Sequence, residues 1–239
     1  PNQTACHIVP LPSPLHSKVA GRHQRNGNSI IVVGQPIRVH LNRLHWWTQG
    51  ATQMRYCRVT IKFLTALTDS VRKDVIFRPY ARTHSEIDIR DMVNKNFPDM
   101  LMLEDGLNEA IMSSRLVVLA TQSTTLNFTL AVNAPTVVYL SPEDVQPNKV
   151  AQPYFEGLKK CGVIHETTDA AAAHINKISD NIDGWWESVE VQEARKIWVE
   201  QYARTNRFWW FSCGRQNPRT SPGGGGHMCA HLHLSVRTL

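Results

Sequence analysis

Leu116-Val117-Val118-Leu119-Ala120-Thr121-Gln122-Ser123-Thr124-Thr125 decides how this chain of 239 residues is read. The five residues from Leu116 to Ala120 form an unbroken apolar run, as in a strand buried on both faces of a sheet. Thr121 to Thr125 ends the run and supplies hydroxyls suited to capping a helix, which Thr125 to Val132 then continues. Thr136 to Leu140 is a further buried strand. Strand, helix and strand in this order, joined by connections too long for a hairpin, predict a right-handed crossover onto a parallel sheet.

The pattern extends in both directions. Ser29 to Val33 (SIIVV) is a short β-branched strand ending at Gly34, and Asp74 to Phe77 (DVIF) is another, stopped by Pro79. Between them, Tyr56 to Leu67 carries Val59, Phe63, Ala66 and Leu67 on one helical stripe. Leu107 to Met112 reads as a short helix. Further on, Pro153 and Gly162 bracket a helix over Tyr154 to Cys161, and Val163 to His165 is a short strand. Thr168 is the expected cap of a helix running to about Ser179, with Ala171, Ile175 and Ile178 on its stripe. A short Ile182 to Trp186 segment and a last amphipathic helix through Val191, Ala194, Trp198 and Tyr202 complete the pattern. The fold class is α/β: a doubly wound, mainly parallel, Rossmann-like sheet in one domain over 29–211.

Charge separates the ends from the middle. The net charge is +6; Lys18, Arg22 and Arg25 give +3 to residues 1–28, and Arg215, Arg219 and Arg237 give +3 to residues 212–239. Residues 29–211 therefore sum to zero, whereas a folded nucleic-acid module carries its excess charge on one face of the domain. Nucleic acid is not an expected partner. Residues 1–28 hold four prolines and no sustained period, and residues 212–239 hold Gly223 to Gly226 and a cluster of histidines. Both are expected to be poorly ordered. The change after Trp210 is abrupt enough to suggest either a flexible extension or a shifted reading frame. Cys213, His227, Cys229, His231 and His233 lack structural zinc spacing, so no metal is expected there.

Five cysteines, odd in number and widely spaced, fit a reduced, cytoplasmic chain, and Cys161 reads as a small buried residue. No signal peptide opens the sequence, and no apolar run approaches the roughly 20 residues of a membrane span. Its first residue is proline, as in an internal fragment.

In an open parallel sheet, ligands bind beyond the carboxyl ends of the strands. Three such ends carry chemistry. Gly34-Gln35-Pro36-Ile37-Arg38 follows the first strand and lacks the glycine pattern of a dinucleotide fold, so no cofactor is expected. Arg78, Pro79, Tyr80 and Arg82 follow the second, and Arg78 is suited to a diphosphate, or else to a salt bridge with Glu104 or Asp105. Ser123, Thr124 and Thr125 stand where a helix dipole and free N–H groups favour phosphate, although capping alone also explains them. Gln35, Arg82 and His165 are candidate neighbours of the same site. Arg115 precedes a strand at the opposite edge and reads as structural. Trp185-Trp186 reads as packing. No Ser-His-Asp set, paired-carboxylate spacing or His-Glu-x-x-His is present.

One resemblance gathers these segments. Arg78-Pro79-Tyr80, Ser114-Arg115-Leu116-Val117-Val118, Ser123-Thr124-Thr125, Leu130-Ala131-Val132-Asn133-Ala134-Pro135-Thr136, Pro153-Tyr154-Phe155, Gly162-Val163-Ile164-His165, Ala171-Ala172, Trp185-Trp186 and Val191-Gln192-Glu193-Ala194-Arg195 occur in this order. Together they resemble the C-terminal, donor-binding part of a transferase family from bacterial surface-polysaccharide gene clusters, similar to GT-B glycosyltransferases. The likeness covers about 29–211. It implies a nucleotide-sugar donor, a glycan or lipid-linked acceptor held by an N-terminal half, no metal, and a cytoplasmic place peripheral to the inner membrane. A sugar-nucleotide epimerase of the same architecture and a non-catalytic nucleotide-sugar-binding fragment stay open beside it. GT-B donor halves often carry an acid in the helix after the Ser/Thr turn, where this chain has Asn127 and Phe128.

Overall fold

The β-branched runs become the middle of a single sheet. In the computed structural model, which describes residues 11–35, 50–80, 88–142 and 145–211, the elements in chain order begin with α1 (Pro14–Val19), β1 (Ile30–Val33), α2 (Gly50–Ala66), α3 (Asp69–Arg72) and β2 (Val75–Arg78). There follow α4 (Ile89–Asn96), β3 (Leu101–Met102), α5 (Leu107–Ser113), β4 (Leu116–Leu119), α6 (Thr124–Val132) and β5 (Thr136–Tyr139). The last are α7 (Gln152–Lys160), β6 (Ile164–His165), α8 (Thr168–Ile178), α9 (Ile182–Trp186) and α10 (Val189–Tyr202).

The six strands are parallel and lie in the order β3-β2-β1-β4-β5-β6. The chain thus winds outward from β1 in one direction and from β4 in the other. The strand order reverses between these two neighbours, the position at which open α/β sheets form a crevice beyond the carboxyl ends of their strands. Val33 pairs with Arg78 on one side and Leu119 on the other, so the ends of β2, β1 and β4 form one row.

Alternation along the strands separates two cores. Ile30 and Val32 face the layer of α2, α4 and α8, with Phe63, Phe77 and Ile175 buried among them. Ile31 and Val33 face the layer of α5, α6, α7 and α10, with Leu130, Leu158, Trp186 and Trp198. Central strands buried on both faces carry apolar side chains at every position, which explains why they read so clearly in the sequence.

Three details depart from the sequence expectations. Residues 11–28 are tied to α5, α6 and the end of α10 rather than poorly ordered. Pro14 opens α1, where a proline costs no hydrogen bond, and Ser13 Oγ caps it by accepting from His16 N. Beyond it, Gly21 N donates to Ala131 O at 3.1 Å and His23 N to Val132 O at 3.1 Å. The cap of α8 is Thr167, whose Oγ1 accepts from Ala170 N at 3.1 Å; Thr168 is the first helical residue and is buried. Finally, α3, α4 and β3 join the elements read from the sequence. Residues 1–10 and 212–239, with the Cys/His-rich segment, lie outside the described residues. No helix among the described residues is long and apolar enough to cross a membrane.

Candidate functional site at the carboxyl edge of the sheet

The crevice between β1 and β4 is closed at its floor by Gln35. Its side-chain amide donates to Ala120 O, joining the end of one strand to the end of the other. Its backbone N–H donates to the Tyr56 hydroxyl at 2.5 Å. Tyr56 comes from α2 and is buried, and burial pushes its phenol up to about 12, so it stays protonated. Gly34 makes this approach possible: a Cβ there would stand 3.1 Å from the Tyr56 hydroxyl and 3.2 Å from Arg78 O. Thr60 Oγ1 and Tyr139 Oη are also buried and meet no hydrogen-bonding geometry among the described residues.

One step across the crevice, Ser123 caps α6. Its Oγ accepts from Thr125 N at 3.2 Å. Ser123 and Thr124 are exposed and Thr125 is half-buried. The first turn of α6 contains no acidic side chain, so nothing within it neutralises the partial positive charge of the free N–H groups. This arrangement suits an anion approaching from solvent.

Arg78 ends β2, two strands from β4, or about 10 Å at ordinary strand spacing. Its Nη1 donates to Pro79 O at 2.8 Å, while Nε is buried without a partner among the described residues. Among the described residues no carboxylate pairs with it. Glu104, a partner considered from the sequence, is instead 3.4 Å from Arg90 Nε. Arg90 also meets Asp88 at 3.4 Å and donates to Tyr80 O at 3.0 Å, holding the stretch beyond Arg78 in place.

The other residues singled out from the sequence divide plainly. His165 ends β6, two strands beyond β4 on the far side, and its Nε2 lies 2.9 Å from Gly162 O. Its ring packs against His174 at 4.9 Å, and burial lowers its pKa. It does not join Ser123 and Gln35. Arg82 lies outside the described residues. Arg115 stays at the opposite edge, 4.0 Å from Asp74. Trp186 is buried and donates to Asn133 Oδ1 at 3.0 Å, and Trp185 donates to Cys161 O at 3.0 Å. Asn127 does not face the crevice with a free amide: its Oδ1 accepts from Trp198 Nε1 at 3.0 Å.

Tyr56 is the residue that sequence reading passed over. Its only sequence signal was a place at the start of an amphipathic helix, and the hydroxyl finds its role through a residue 21 positions earlier. Among the described residues, no group of three or more His, Cys, Asp or Glu could hold a metal ion.

Among curated proteins none matches this chain. Residues 2–213 match the family described as LIC12162 family transferase, a span that takes in every described residue. The match takes in both α1 and α10, whose backbones meet where Ser13 N donates to Arg204 O at 2.9 Å. By that match, this chain of doubly wound parallel architecture belongs to the LIC12162 family of transferases.

Proposed function

We propose that this transferase domain is the donor-binding half of a metal-independent, glycosyltransferase-type enzyme of surface-polysaccharide biosynthesis. It uses a nucleotide-activated sugar and works in the cytoplasm, peripheral to the inner membrane. One observation carries the reading: the Ser123-capped N-terminus of α6, free of acids, opens at the carboxyl end of β4 beside the switch point.

The donor diphosphate lies across Ser123, Thr124 and Thr125, with Gln35 as the floor and Arg78 reaching in from β2. When the bond between the sugar and the terminal phosphate oxygen breaks, the electron pair stays on that oxygen. The α6 N–H groups and the Arg78 guanidinium stabilise the charge as it develops. The acceptor, a glycan or a lipid-linked one, comes from a second half facing this edge.

Titration calorimetry with several nucleoside diphosphates tests the reading. Binding is expected, with Arg78→Ala weakening it by roughly ten- to a hundredfold and Ser123→Ala by less. Absence of nucleotide binding by the folded wild-type chain removes the donor-site reading, and unchanged binding by Arg78→Ala moves the site elsewhere.

A further inference from the structure

The segment following α10 carries apolar surface of a kind the rest of the domain lacks. Phe208, Trp210 and Phe211 are 57%, 55% and 54% exposed, and their neighbour Trp209 is half-buried. Phe208 and Trp210 stand edge to face at 5.7 Å, so the rings form a cluster rather than separate protrusions. Asn206 N donates to Ser17 Oγ at 3.0 Å and holds this segment against α1, and Leu11 and Leu15 are also exposed at the start of that helix. Half of the ten large exposed hydrophobics of the described chain stand in these two joined segments.

The same surface is cationic. Lys18, Arg22 and Arg207 are exposed, and no ion pair engages any of them among the described residues. Lys18 Nζ lies 5.6 Å from the Trp209 ring centre, and a groove of about 680 Å³ runs between α1 and this segment. Residues 11–22 and 203–211 contain no Asp or Glu. Arg204 is the exception among the cations, with Glu200 at 2.6 Å.

The cluster also has a definite position. Gln192 Nε2 donates to Asn133 Oδ1 at 3.2 Å, Arg195 Nη1 to Leu130 O at 2.8 Å and Trp198 Nε1 to Asn127 Oδ1 at 3.0 Å. As α10 advances, its partners move back along α6, so the two helices run antiparallel. The end of α10 therefore reaches the Ser123 end of α6, and beyond Arg204, which meets Ser13, the aromatic segment turns back along α1, with Asn206 on Ser17 and Trp209 beside Lys18, toward the end where Gly21 meets Ala131.

We propose that this aromatic and basic face docks the domain onto an anionic lipid surface. Phe and Trp side chains enter the interfacial layer, whose half-apolar character suits indole rings, while Lys18, Arg22 and Arg207 meet lipid phosphates. The inference deepens the peripheral placement proposed above, and its test does not pass through the donor site.

The experiment is co-sedimentation of the full chain with phosphatidylglycerol/phosphatidylcholine vesicles and with pure phosphatidylcholine vesicles. Sedimentation without lipid and oligonucleotide binding are measured alongside. Binding to the anionic vesicles is expected, with little to the neutral ones and a steep loss toward ~0.5 M salt. The Lys18→Gln/Arg22→Gln/Arg207→Gln variant is expected to bind on the order of a hundredfold more weakly. Phe208→Ser/Trp210→Ser/Phe211→Ser is expected to lose more than about tenfold. All these positions are exposed, and thermal unfolding confirms that the variants are folded. Four outcomes overturn the proposal: no vesicle binding by wild type, equal binding by both variants, self-association through the aromatic residues, or oligonucleotide binding without vesicle binding. Nucleotide titration of the same samples reports separately on the donor site, so failure of one reading is distinguishable from failure of the other.

Discussion

Trp198 and Asn127 are joined across α10 and α6 by a hydrogen bond of 3.0 Å from the indole N–H to the amide oxygen. Trp198 is buried and packs edge to face on Phe155 at 5.1 Å, so its N–H has no route to solvent without moving the helix. The Asn127 amide therefore serves to seat the last helix. Asn127→Ala is expected to lower unfolding free energy by about 1–2 kcal/mol, by leaving the indole unpaired. Nucleotide affinity of the folded protein should stay within about twofold of wild type, a change of under half a kcal/mol. Denaturant melts and calorimetry on one preparation separate the two, and a large affinity loss without a stability loss would return Asn127 to the donor site.

Crowding at Gly34 gives a coupled pair. The Cβ of Gly34→Ala meets the Tyr56 hydroxyl and Arg78 O, and overpacking of this kind costs about 1–3 kcal/mol. Tyr56→Phe removes the hydroxyl but leaves the Gln35 N–H without its acceptor, at a cost of about 1–3 kcal/mol. In the double variant the second substitution makes room for the first. The combined loss is expected to fall short of the sum by about 1 kcal/mol, read from chemical denaturation of all four proteins. Strict additivity would mean that the two groups do not press on each other.

Asn133 ends α6 in the left-handed region, at φ 66°, and its side chain accepts from both Trp186 and Gln192. Asn133→Gly loses those two bonds but keeps an easy backbone, whereas Asn133→Ala loses them and adds strain. The alanine variant is expected to be less stable than the glycine variant by about 1 kcal/mol. Thermal melts of the pair check this, and equal stability would place the whole effect in the side-chain bonds.

Acid sensitivity follows from the half-buried histidines. Burial, with the charges of His165 and Lys177, lowers the pKa of His174 from 6.5 to about 4, and burial also lowers those of His165, His23 and His16. The folded chain thus binds fewer protons than the unfolded chain between those values. Stability is expected to fall as pH drops from about 6.5 and to stop responding to His174 below about 4. His174→Phe keeps a flat ring between His165 and Trp185 and should flatten the melting temperature over that window. An unchanged pH slope in this variant would exclude His174 as a source.

The parts of this fold that were legible in sequence are those whose physics is local. Leu116 to Leu119 and Thr136 to Tyr139 announce themselves because central strands bury every side chain. Gly162 was legible as a helix stop and indeed sits at φ 80°. Leu101 and Met102 were not, because a two-residue edge strand that leaves Leu101 exposed has neither length nor alternation. The N-terminal stretch was misread for a different reason: its order comes from bonds to Ala131, Val132 and Arg204, which no local period encodes. At the site, Ser123 could be placed from its own neighbours. The roles of Gln35, Tyr56 and Asn127 each depend on a partner between 21 and 85 residues away.

The central place of β1 also bears on how the chain is made. Its register partner β2 leaves the ribosome first, but Val33 must wait for Leu119 to cover its second edge. From the end of β2 to the end of β4 the interval is on the order of a few seconds at ordinary rates of translation. For that time a nascent half-sheet carries an open Ile-Ile-Val-Val edge, whose unpaired N–H and C=O groups suit pairing with another chain. Synthesis speed between residues 33 and 119, rather than the strength of the finished core, then governs how much of the product escapes aggregation.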